Sequence, residues 1–440
     1  GRNATGGAVN VISKRPTEDF EHHVRTKAGD YGRFDWGASS SGPITDTLGY
    51  RVYGYETRRD GFIDNDGGDD IWDENHDGLG AQLNWDATDT LNIWLSYQKD
   101  ETNDIRSGVF PGGYLITPYL TNSLAGNGVV LNEGYQWTKE NPSVNDPYKV
   151  DLNDPLRTGT DDNNRYTTHV TWDLDAVTLK YIGNYSESEY EANNGDFGYT
   201  SRPDLRVVES TQEKTESNAH EIQMLSATDG PLQWVAGLYY YHGEVEQPYG
   251  ISTRTAEYLD NIALFGTYTP IRPNVDRRNY WQTAELDSDS YAAYADANYT
   301  FNDTWKLTAG IRYSYDEKKG EETLLTVADP NIYGGTPVGD CCGWVINDPV
   351  NNPADTRKLD DDWDNVSGRV VLDYMYNDDH MLYGSISNGY KSGGFRLGSI
   401  QEDAVFDEET VLSYEVGYKG TFSGILQVNA AAYFYDYEDM

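Results

Sequence analysis

The stretch WKLTAGIRYSYD, residues 305–316, alternates apolar and polar side chains along its whole length. One side of the alternation carries Trp305, Leu307, Ala309, Ile311, Tyr313 and Tyr315. The other side carries Lys306, Thr308, Gly310, Arg312, Ser314 and Asp316. Successive side chains of a β-strand point to opposite faces, so this period of two predicts a strand with one dry face and one wet face.

The same alternation recurs in residues 177–186, 411–419 and 424–436. Aliphatic side chains lie along the dry face, and aromatic ones lie toward its ends. We expect strands of about ten to fifteen residues, whereas strands of soluble sandwiches usually contain about five or six. Long alternating strands are typical of a tilted wall that crosses a bilayer.

Connections of two lengths alternate along the chain. Short polar turns are predicted at residues 42–46, 86–89, 173–175, 228–231, 302–303, 377–379 and 423–424. Between them lie long segments, approximately residues 61–76, 105–163, 191–213, 246–286, 320–360 and 392–408. Short turns at one end and long loops at the other are typical of an outer-membrane barrel. The pattern therefore predicts an all-β chain of about fifteen antiparallel strands in a transmembrane β-barrel.

Composition narrows the functional classes. The formal charge is −40, from 33 Lys and Arg against 73 Asp and Glu, which argues against nucleic acid as a partner because phosphate backbones attract basic surfaces. The mean hydropathy of −0.72 and the lack of a long apolar run exclude a transmembrane helix. A barrel is compatible with both values, because only one face of each strand must be apolar. The 36 tyrosines fit a membrane interface, but they also fit a soluble all-β protein with tyrosine-rich strands.

Several stretches of the chain contain motifs of one known family. Residues 1–16, GRNATGGAVNVISKRP, with a Gly-Gly-Ala-x-Asn turn, resemble the end of the plug domain of the TonB-dependent outer-membrane receptors, where such a turn leads into the barrel. Residues 387–395, SNGYKSGGF, resemble a late-barrel motif, and residues 408–419 resemble the pattern PET…YE.G.K with Glu408 in place of the usual proline. Ala309-Gly310-Ile311-Arg312-Tyr313 is similar to another recurrent strand opening of the family.

The resemblance implies a barrel of 22 strands filled by an N-terminal plug. We expect residues 1–16 to be the end of the plug and residues 17–440 to be a partial barrel that lacks its C-terminal strands, roughly seven of them. It implies a location in the bacterial outer membrane, in contact with its lipid. It also implies active import of a scarce extracellular solute, most often a ferric siderophore, driven through the missing plug by the TonB–ExbB–ExbD system.

Exposed aromatic and cationic side chains of the long loops are the candidate ligand contacts. The aromatic candidates are Phe110, Tyr114, Trp137, Tyr249, Trp281 and Trp344. Lys391 and Arg396 supply positive charge near the base of a loop. Aromatic rings stack on catechols or sugar faces, and cations pair with carboxylates or catecholates. The alternative for each of these aromatic residues is that it packs the loops against one another.

Other groups of residues suggest a calcium loop, a disulfide or a haem site, and each is compared with a purely structural role. Asp73, Asn75, Asp77 and Gly78 copy positions 1, 3, 5 and 6 of a calcium loop, but Asn84 stands where the bidentate glutamate belongs, so a solvated surface loop is favoured. Cys341 and Cys342 are adjacent, and we expect a vicinal disulfide that stiffens a loop. The seven histidines are scattered, without a haem-ligand motif. Because nothing pairs a nucleophile with a base, we expect no enzyme, metal or cofactor.

Three alternatives stay open at this level. The same aromatic loops suit the uptake of an oligosaccharide or another organic nutrient. A passive diffusion porin and a structural or adhesive surface barrel are also compatible with an acidic, β-rich chain.

Overall fold

The computed structural model describes most of the chain as β-structure. It describes residues 12–66, 68–105, 148–150, 158–196, 207–253, 278–326, 355–398 and 404–438. Every regular element in these ranges is a strand. None of the described residues forms a helix that is long and apolar enough to span a membrane.

Fifteen strands form one antiparallel sheet. In chain order they are β1 (Glu21–Ala28), β2 (Phe34–Thr45), β3 (Leu48–Arg59), β5 (Glu74–Thr88), β6 (Leu91–Asn103), β8 (Thr158–Leu174), β9 (Val177–Asp196), β10 (Val207–Ser226), β11 (Leu232–Thr253), β12 (Arg278–Thr300), β13 (Trp305–Thr326), β14 (Asp355–Asn377), β15 (His380–Lys391), β18 (Glu409–Phe422) and β19 (Leu426–Glu438). Four short strands lie between them: β4 (Asp64–Asn65), β7 (Lys149–Val150), β16 (Gly394–Phe395) and β17 (Val405–Phe406). Each interior strand of the large sheet pairs with the sheet strands before and after it in the chain, β1 and β19 are its two edges, and all pairs are antiparallel as predicted.

Seven short connections lie where they were expected, whereas the five-residue connection between β1 and β2, residues 29–33, was not predicted. Strands are joined at residues 46–47, 89–90, 175–176, 227–231, 301–304, 378–379 and 423–425, and each connection overlaps a predicted turn. We call this end of the sheet the turn end and the opposite end the loop end. In the last turn Ser423 and Gly424 have φ of 54° and 67°, the left-handed values that a tight hairpin turn requires.

The two faces of the sheet differ in exposure. On β13, Ile311 is 60% exposed, whereas Asp316 on the other face is 1% exposed. We call the face of Ile311 the outer face and the face of Asp316 the inner face. Antiparallel partners share a face, so Ala295 of β12 and Gly368 of β14, which pair with Ile311, also lie on the outer face. The dry and wet faces predicted for residues 305–316 are these outer and inner faces.

The outer face changes character along the long strands. Toward the turn end the outer face is apolar, and we call this part the apolar band. On β12–β14 the apolar band contains Tyr291, Ala293, Ala295, Ala297, Tyr299, Trp305, Leu307, Ala309, Ile311, Tyr313, Tyr315, Val366, Val370, Leu372 and Tyr374. Its acidic collar, toward the loop end, consists on the same strands of Glu285, Asp287, Asp289, Glu317, Asp360, Asp362 and Asp364. We take the apolar band as the part that meets lipid.

The predicted strand length was wrong for the middle of the sheet. β9 and β10 contain 20 residues each, β11 and β13 contain 22, and β12 and β14 contain 23. These strands run into residues 191–213, 246–286 and 320–360, which the sequence assigned to loops. At the level of the acidic collar the outer face is charged and the inner face mixes polar with apolar side chains such as Leu286 and Leu359, so the apolar outer stripe that marks a strand disappears although the ladder continues.

Buried apolar side chains are sparse and lie mainly at the loop end. Ile63 and Ile71 are 2% and 0% exposed and pair through an isolated bridge. Phe62, Trp72 and Ile105 pack against them. This cluster is the small hydrophobic core of the connection between β3 and β5.

Candidate ligand-binding surface

The segment after β15 folds back onto the inner face at the loop end. We call its described residues, 392–398 and 404–408, the strap. Gly394 and Phe395 pair with Phe406 and Val405, and the Arg396 amide donates a 2.7 Å hydrogen bond to the Ala404 carbonyl. The strap is therefore a small hairpin that lies over β13 and β14.

Glycine is required where the strap meets the wall. A Cβ on Gly393 would lie 2.4 Å from both the Phe406 carbonyl oxygen and the Trp363 indole nitrogen. Trp363 is 6% exposed, and its ring lies 6.0 Å from that of Phe395. The Ser-Gly-Gly-Phe sequence thus permits an aromatic contact that any larger residue would push apart.

Two charged contacts fix the strap to β13. The Lys318 ammonium donates to the Gly393 carbonyl and lies 5.4 Å above the Trp363 ring. Glu322, which is 1% exposed, accepts hydrogen bonds from the Arg357 guanidinium and from the Gly398 amide. A buried carboxylate with two donors is stabilised only while both stay in place, so Glu322 ties the far end of the strap to the wall.

The two predicted cations have different surroundings. Lys391 forms a 2.7 Å ion pair with Glu409, its register partner on β18. Arg396 is exposed on the strap. Of the two, Arg396 is the one whose charge faces open space.

Most of the aromatic candidates cannot be placed. Phe110, Tyr114, Trp137 and Trp344 lie outside the described residues, as do Cys341 and Cys342. Trp281 belongs to β12, but its side chain is outside the described part. Tyr249 lies on the inner face of β11, half-buried.

Sequence reasoning missed the aromatic and charged residues that hold the strap. Trp363, Lys318, Glu322 and Arg357 all lie in residues 320–360 or beside them, where the sequence predicted loop or gave no site. The signal available was the Gly-Gly pair, which marks close backbone approach but does not name the partner.

A second cluster of polar side chains lies on the inner face, closer to the turn end than the strap. Arg369 Nε is 2.9 Å from Asp296 Oδ2, and the Tyr294 hydroxyl donates to Glu221. The Arg312 guanidinium lies 5.8 Å from the Tyr294 ring centre. These side chains line a recess of about 470 Å³. Because its cations are balanced by carboxylates, the recess presents hydrogen-bonding groups without a large net charge.

The described N-terminal residues cross the inner face without regular structure. Arg15 contacts two strands: its Nη2 lies 3.0 Å from His169 Nδ1, and its guanidinium lies 4.1 Å above the Trp94 ring. The Thr17 amide donates a 2.9 Å hydrogen bond to the buried Ser41 hydroxyl. Residues 12–17 are thereby anchored to β2, β6 and β8.

The carboxylate-rich connection before β5 is not arranged as a calcium loop. Asn75 and Asp77 lie in the extended strand β5, and an extended chain cannot wrap its side-chain oxygens around one ion. Asp73 accepts a hydrogen bond from the Ile105 amide instead, and burial raises its pKa. The favoured solvated-loop interpretation is also incomplete, because Asp104 is 1% exposed and holds His76 at 2.8 Å.

Comparison with known proteins decides the family. Residues 114–440 match the family described as TonB dependent receptor-like, beta-barrel. The chain belongs to this family. The predicted fold class, a TonB-dependent receptor barrel of the outer membrane, is therefore confirmed, and the proteins of this family are transport receptors rather than enzymes.

Relatives and solved structures are similar over different lengths. The pesticin receptor of Yersinia pestis is 24% identical over 160 residues, 36% of this chain and 20% of that protein. The ferric yersiniabactin uptake receptor FyuA of the same species has a TM-score of 0.72 at 15% identity, over 100% of this chain and 58% of that one. The ferric-catecholate import receptor Fiu of E. coli K12, in its open form, has a TM-score of 0.63 at 15% identity, over 100% of this chain and 63% of that one. This chain thus spans less than two thirds of each.

Proposed function

We propose that this chain is the barrel portion of a receptor that imports a ferric siderophore across the outer membrane. The observation that carries the proposal is the strap, which holds the exposed Arg396 over the inner face of a barrel of this family, next to Phe395, whose ring packs against Trp363. Two of the solved structures with the same fold are named as receptors for ferric siderophores or catecholates. A cation next to aromatic rings suits the anionic, ring-bearing ligands of such chelates.

The distribution of charge removes an objection to this proposal. A net charge of −40 would repel an anionic chelate if it faced the ligand path. On β12–β14 seven carboxylates lie on the outer face, in the acidic collar, away from the strap. On the inner face near the strap, Lys318 and Arg357 hold the strap in place, and Arg357 is paired with Glu322. An anionic ligand approaching the strap therefore meets the exposed Arg396.

The proposal also assigns roles to residues 1–16 and to the candidate ligand contacts of the long loops, most of which lie outside the described residues. Residues 1–16 would be the end of the plug, and Arg15 would hold its exit against Trp94 and His169. The plug would be remodelled by TonB–ExbB–ExbD. The ligand would be contacted from above by Phe110, Tyr114, Trp137, Trp281 and Trp344, and from the inner face by Arg396, with Lys391 holding the base of the strap through Glu409.

The test is uptake of iron by intact cells. A strain without the gene, grown under iron limitation, should fail to take up ⁵⁵Fe from one of a panel of catecholate, hydroxamate and phenolate siderophores. The full-length gene should restore uptake, and collapse of the proton-motive force should abolish it. Arg396→Gln should reduce uptake at low ligand concentration by about tenfold, the effect of losing one charge-assisted contact. Arg58→Gln, a matched change on the outer face, should leave uptake unchanged.

Other results would contradict the proposal. Normal iron uptake in the deletion strain, with loss of growth on a glycan, would assign the receptor to oligosaccharide import. A large steady conductance of the purified full-length protein in planar bilayers would favour a passive porin. The absence of any uptake defect would favour a structural or adhesive barrel.

A further inference from the structure

Two arginines on neighbouring strands face one recess of the inner face. Arg312 of β13 and Arg369 of β14 both line the recess of about 470 Å³ described above. Arg312 lies directly opposite Ser367 in register, and Arg369 lies two residues further along β14. The two arginines are therefore diagonal neighbours, whose Cα atoms are separated by about 7–8 Å in an antiparallel pair. At this spacing both guanidinium groups can contact the same ligand.

Each guanidinium is held through its Nε atom and leaves its terminal nitrogens open. Arg312 Nε donates a 3.0 Å hydrogen bond to the Ser314 hydroxyl, and Arg369 Nε donates a 2.9 Å hydrogen bond to Asp296 Oδ2. Within the described ranges the terminal nitrogens of both arginines have neither a hydrogen-bond partner nor an ion-pair partner. The Arg369 side chain is 56% exposed. Because a guanidinium has five N–H donors, each arginine keeps four of them for a ligand.

The two carboxylates of the recess are engaged away from these terminal nitrogens. Gly310 lies in register between Asp296 of β12 and Arg369 of β14. A Cβ on Gly310 would lie 2.4 Å from Asp296 Oδ2, so the glycine lets that carboxylate reach across β13 to Arg369 Nε. Glu221 instead accepts a hydrogen bond from the Tyr294 hydroxyl.

The recess lies deeper in the barrel than the strap. Arg312 follows Ile311 of the apolar band and comes six residues before Lys318, which holds the strap. Six residues of a strand span about 20 Å, so the recess lies about that distance from the strap contact, toward the turn end. The described residues 12–17 contact β2, β6 and β8 and do not cover the two arginines.

We propose that Arg312 and Arg369 form a second binding site, which takes a carboxylate group of a small solute. A carboxylate matches the geometry of a guanidinium and accepts two parallel hydrogen bonds from it. Asp296 and Glu221 already balance the formal charge of the two arginines, so a singly charged carboxylate is favoured over a doubly charged phosphate. The Ser367 hydroxyl, opposite Arg312, adds a further hydrogen-bonding group.

The place of this site on an import path rests on the proposed function, whereas carboxylate binding itself rests on the geometry of the recess. A solute that carries a carboxylate and leaves the strap would meet the two arginines before it reaches the turn end. Carboxylate binding can be measured on the purified receptor without any iron chelate. A failure to bind is therefore distinguishable from a failure of iron uptake.

The test uses para-fluorobenzoate as the carboxylate probe and the neutral para-fluorobenzamide as its control. Broadening of the fluorine NMR line during titration with the detergent-solubilised full-length receptor measures binding. The wild type should bind the carboxylate saturably and the amide at least about tenfold more weakly. Arg312→Gln and Arg369→Gln should each weaken carboxylate binding by about tenfold, because one charge-assisted contact is lost. Arg165→Gln, on the inner face of β8 and outside the recess, should bind as the wild type does.

A variant that gains affinity separates a ligand contact from a structural role. Asp296→Asn keeps a side-chain oxygen for Arg369 Nε but removes a negative charge from the recess. It should bind para-fluorobenzoate about threefold more tightly, since one repulsive charge is absent. A recess that had merely lost its structure would not gain affinity. Each variant should migrate as heat-modifiable receptor before it is titrated.

Several results would contradict the site. A lack of saturable carboxylate binding by the wild type would overturn it and would favour contacts of the two arginines with the plug. Equal binding of the amide, or unchanged binding in both arginine variants, would also overturn it. Loss of binding in Arg396→Gln, with normal binding in Arg312→Gln, would place the carboxylate at the strap instead.

Discussion

The turn-end and loop-end halves of the long strands share one backbone ladder but meet different surroundings. On β13 the residues from Trp305 to Tyr315 put apolar side chains on the outer face, whereas Glu317, Lys319 and Glu321 continue the same face in charged form. The apolar part spans about 33 Å along the strand and, at a typical tilt, about 25 Å across the bilayer. Backbone pairing therefore sets the height of the wall, and outer-face chemistry sets where the membrane lies on it.

The inner face shows no such boundary. Thr308 and Arg312 in the lower half, and Asp316 and Glu322 in the upper half, are all polar. The inner wall is therefore wet at every level, and its function depends on which polar groups are covered. The strap contacts Glu322, which is 1% exposed, and leaves Arg312 open to the recess.

The largest expected effect tests the position of the apolar band. Ile311→Arg places a charge near its middle, which costs about 2–4 kcal/mol at the bilayer midplane. We expect a strong loss of heat-modifiable receptor from the outer membrane, measured on immunoblots of the full-length protein. Thr283→Arg, on the outer face at the loop end, should leave this amount unchanged. Equal losses in both variants would mean that the band and the collar do not differ in their contact with lipid.

A smaller effect is expected from a substitution in the strap, which changes contacts on the inner face only. Gly393→Ala inserts a Cβ 2.4 Å from the Phe406 carbonyl and the Trp363 nitrogen, and overpacking of this kind costs about 1–3 kcal/mol. The strap should open more often, so that trypsin cleaves after Arg396 about tenfold faster while the barrel still inserts. In Gly384→Ala the nearest atoms to the new Cβ are 4.0 Å away, and cleavage should not change. An unchanged rate in Gly393→Ala would argue against the close strap contact.

The smallest effect concerns the acidic collar. His242, on the outer face beyond Tyr240, lies 3.1 Å from both Glu244 and Asp289. The hydrogen bond to Glu244 raises its pKa against the opposing effect of burial, and Asp289 adds to the rise. Because the folded-state pKa is above the ordinary value, this stabilisation is complete below about pH 6.5 and is lost as the pH rises through the folded-state pKa.

This pH dependence can be measured by thermal unfolding of the full-length receptor. The loss should be about 0.5 kcal/mol, since the pair is partly exposed and screened. His242→Gln should remove the corresponding shift between about pH 6 and pH 9, and the control His22→Gln should retain it. If His242→Gln keeps the wild-type shift, another group titrates in this range.

Much of the fold could be predicted because its signals are local. Alternation over residues 305–316 assigned Ile311 and Asp316 to opposite faces, and turn residues such as Ser423 and Gly424 marked the hairpins. Strand ends could not be predicted where the outer face becomes charged, as at Asp287 and Glu317. There the ladder continues only because the neighbouring strand continues.

The candidate site was less predictable. Lys391 and Arg396 were found from a motif, but only the structure separates them, because Glu409 pairs with Lys391 across the β15–β18 ladder. Trp363 and Glu322 gave no signal, because their partners Gly393 and Gly398 lie far along the chain.

The sequence by itself determined the period of two, the turns, the apolar band and the family motifs, since each depends on residues close together in the chain. The tertiary structure alone decided the height of the wall and the contact of the strap with Trp363 and Glu322. The reason is physical. Register between strands and the fold-back of the strap bring together residues such as Glu322 and Gly398, which are far apart in the chain, and a local sequence pattern contains no information about such partners.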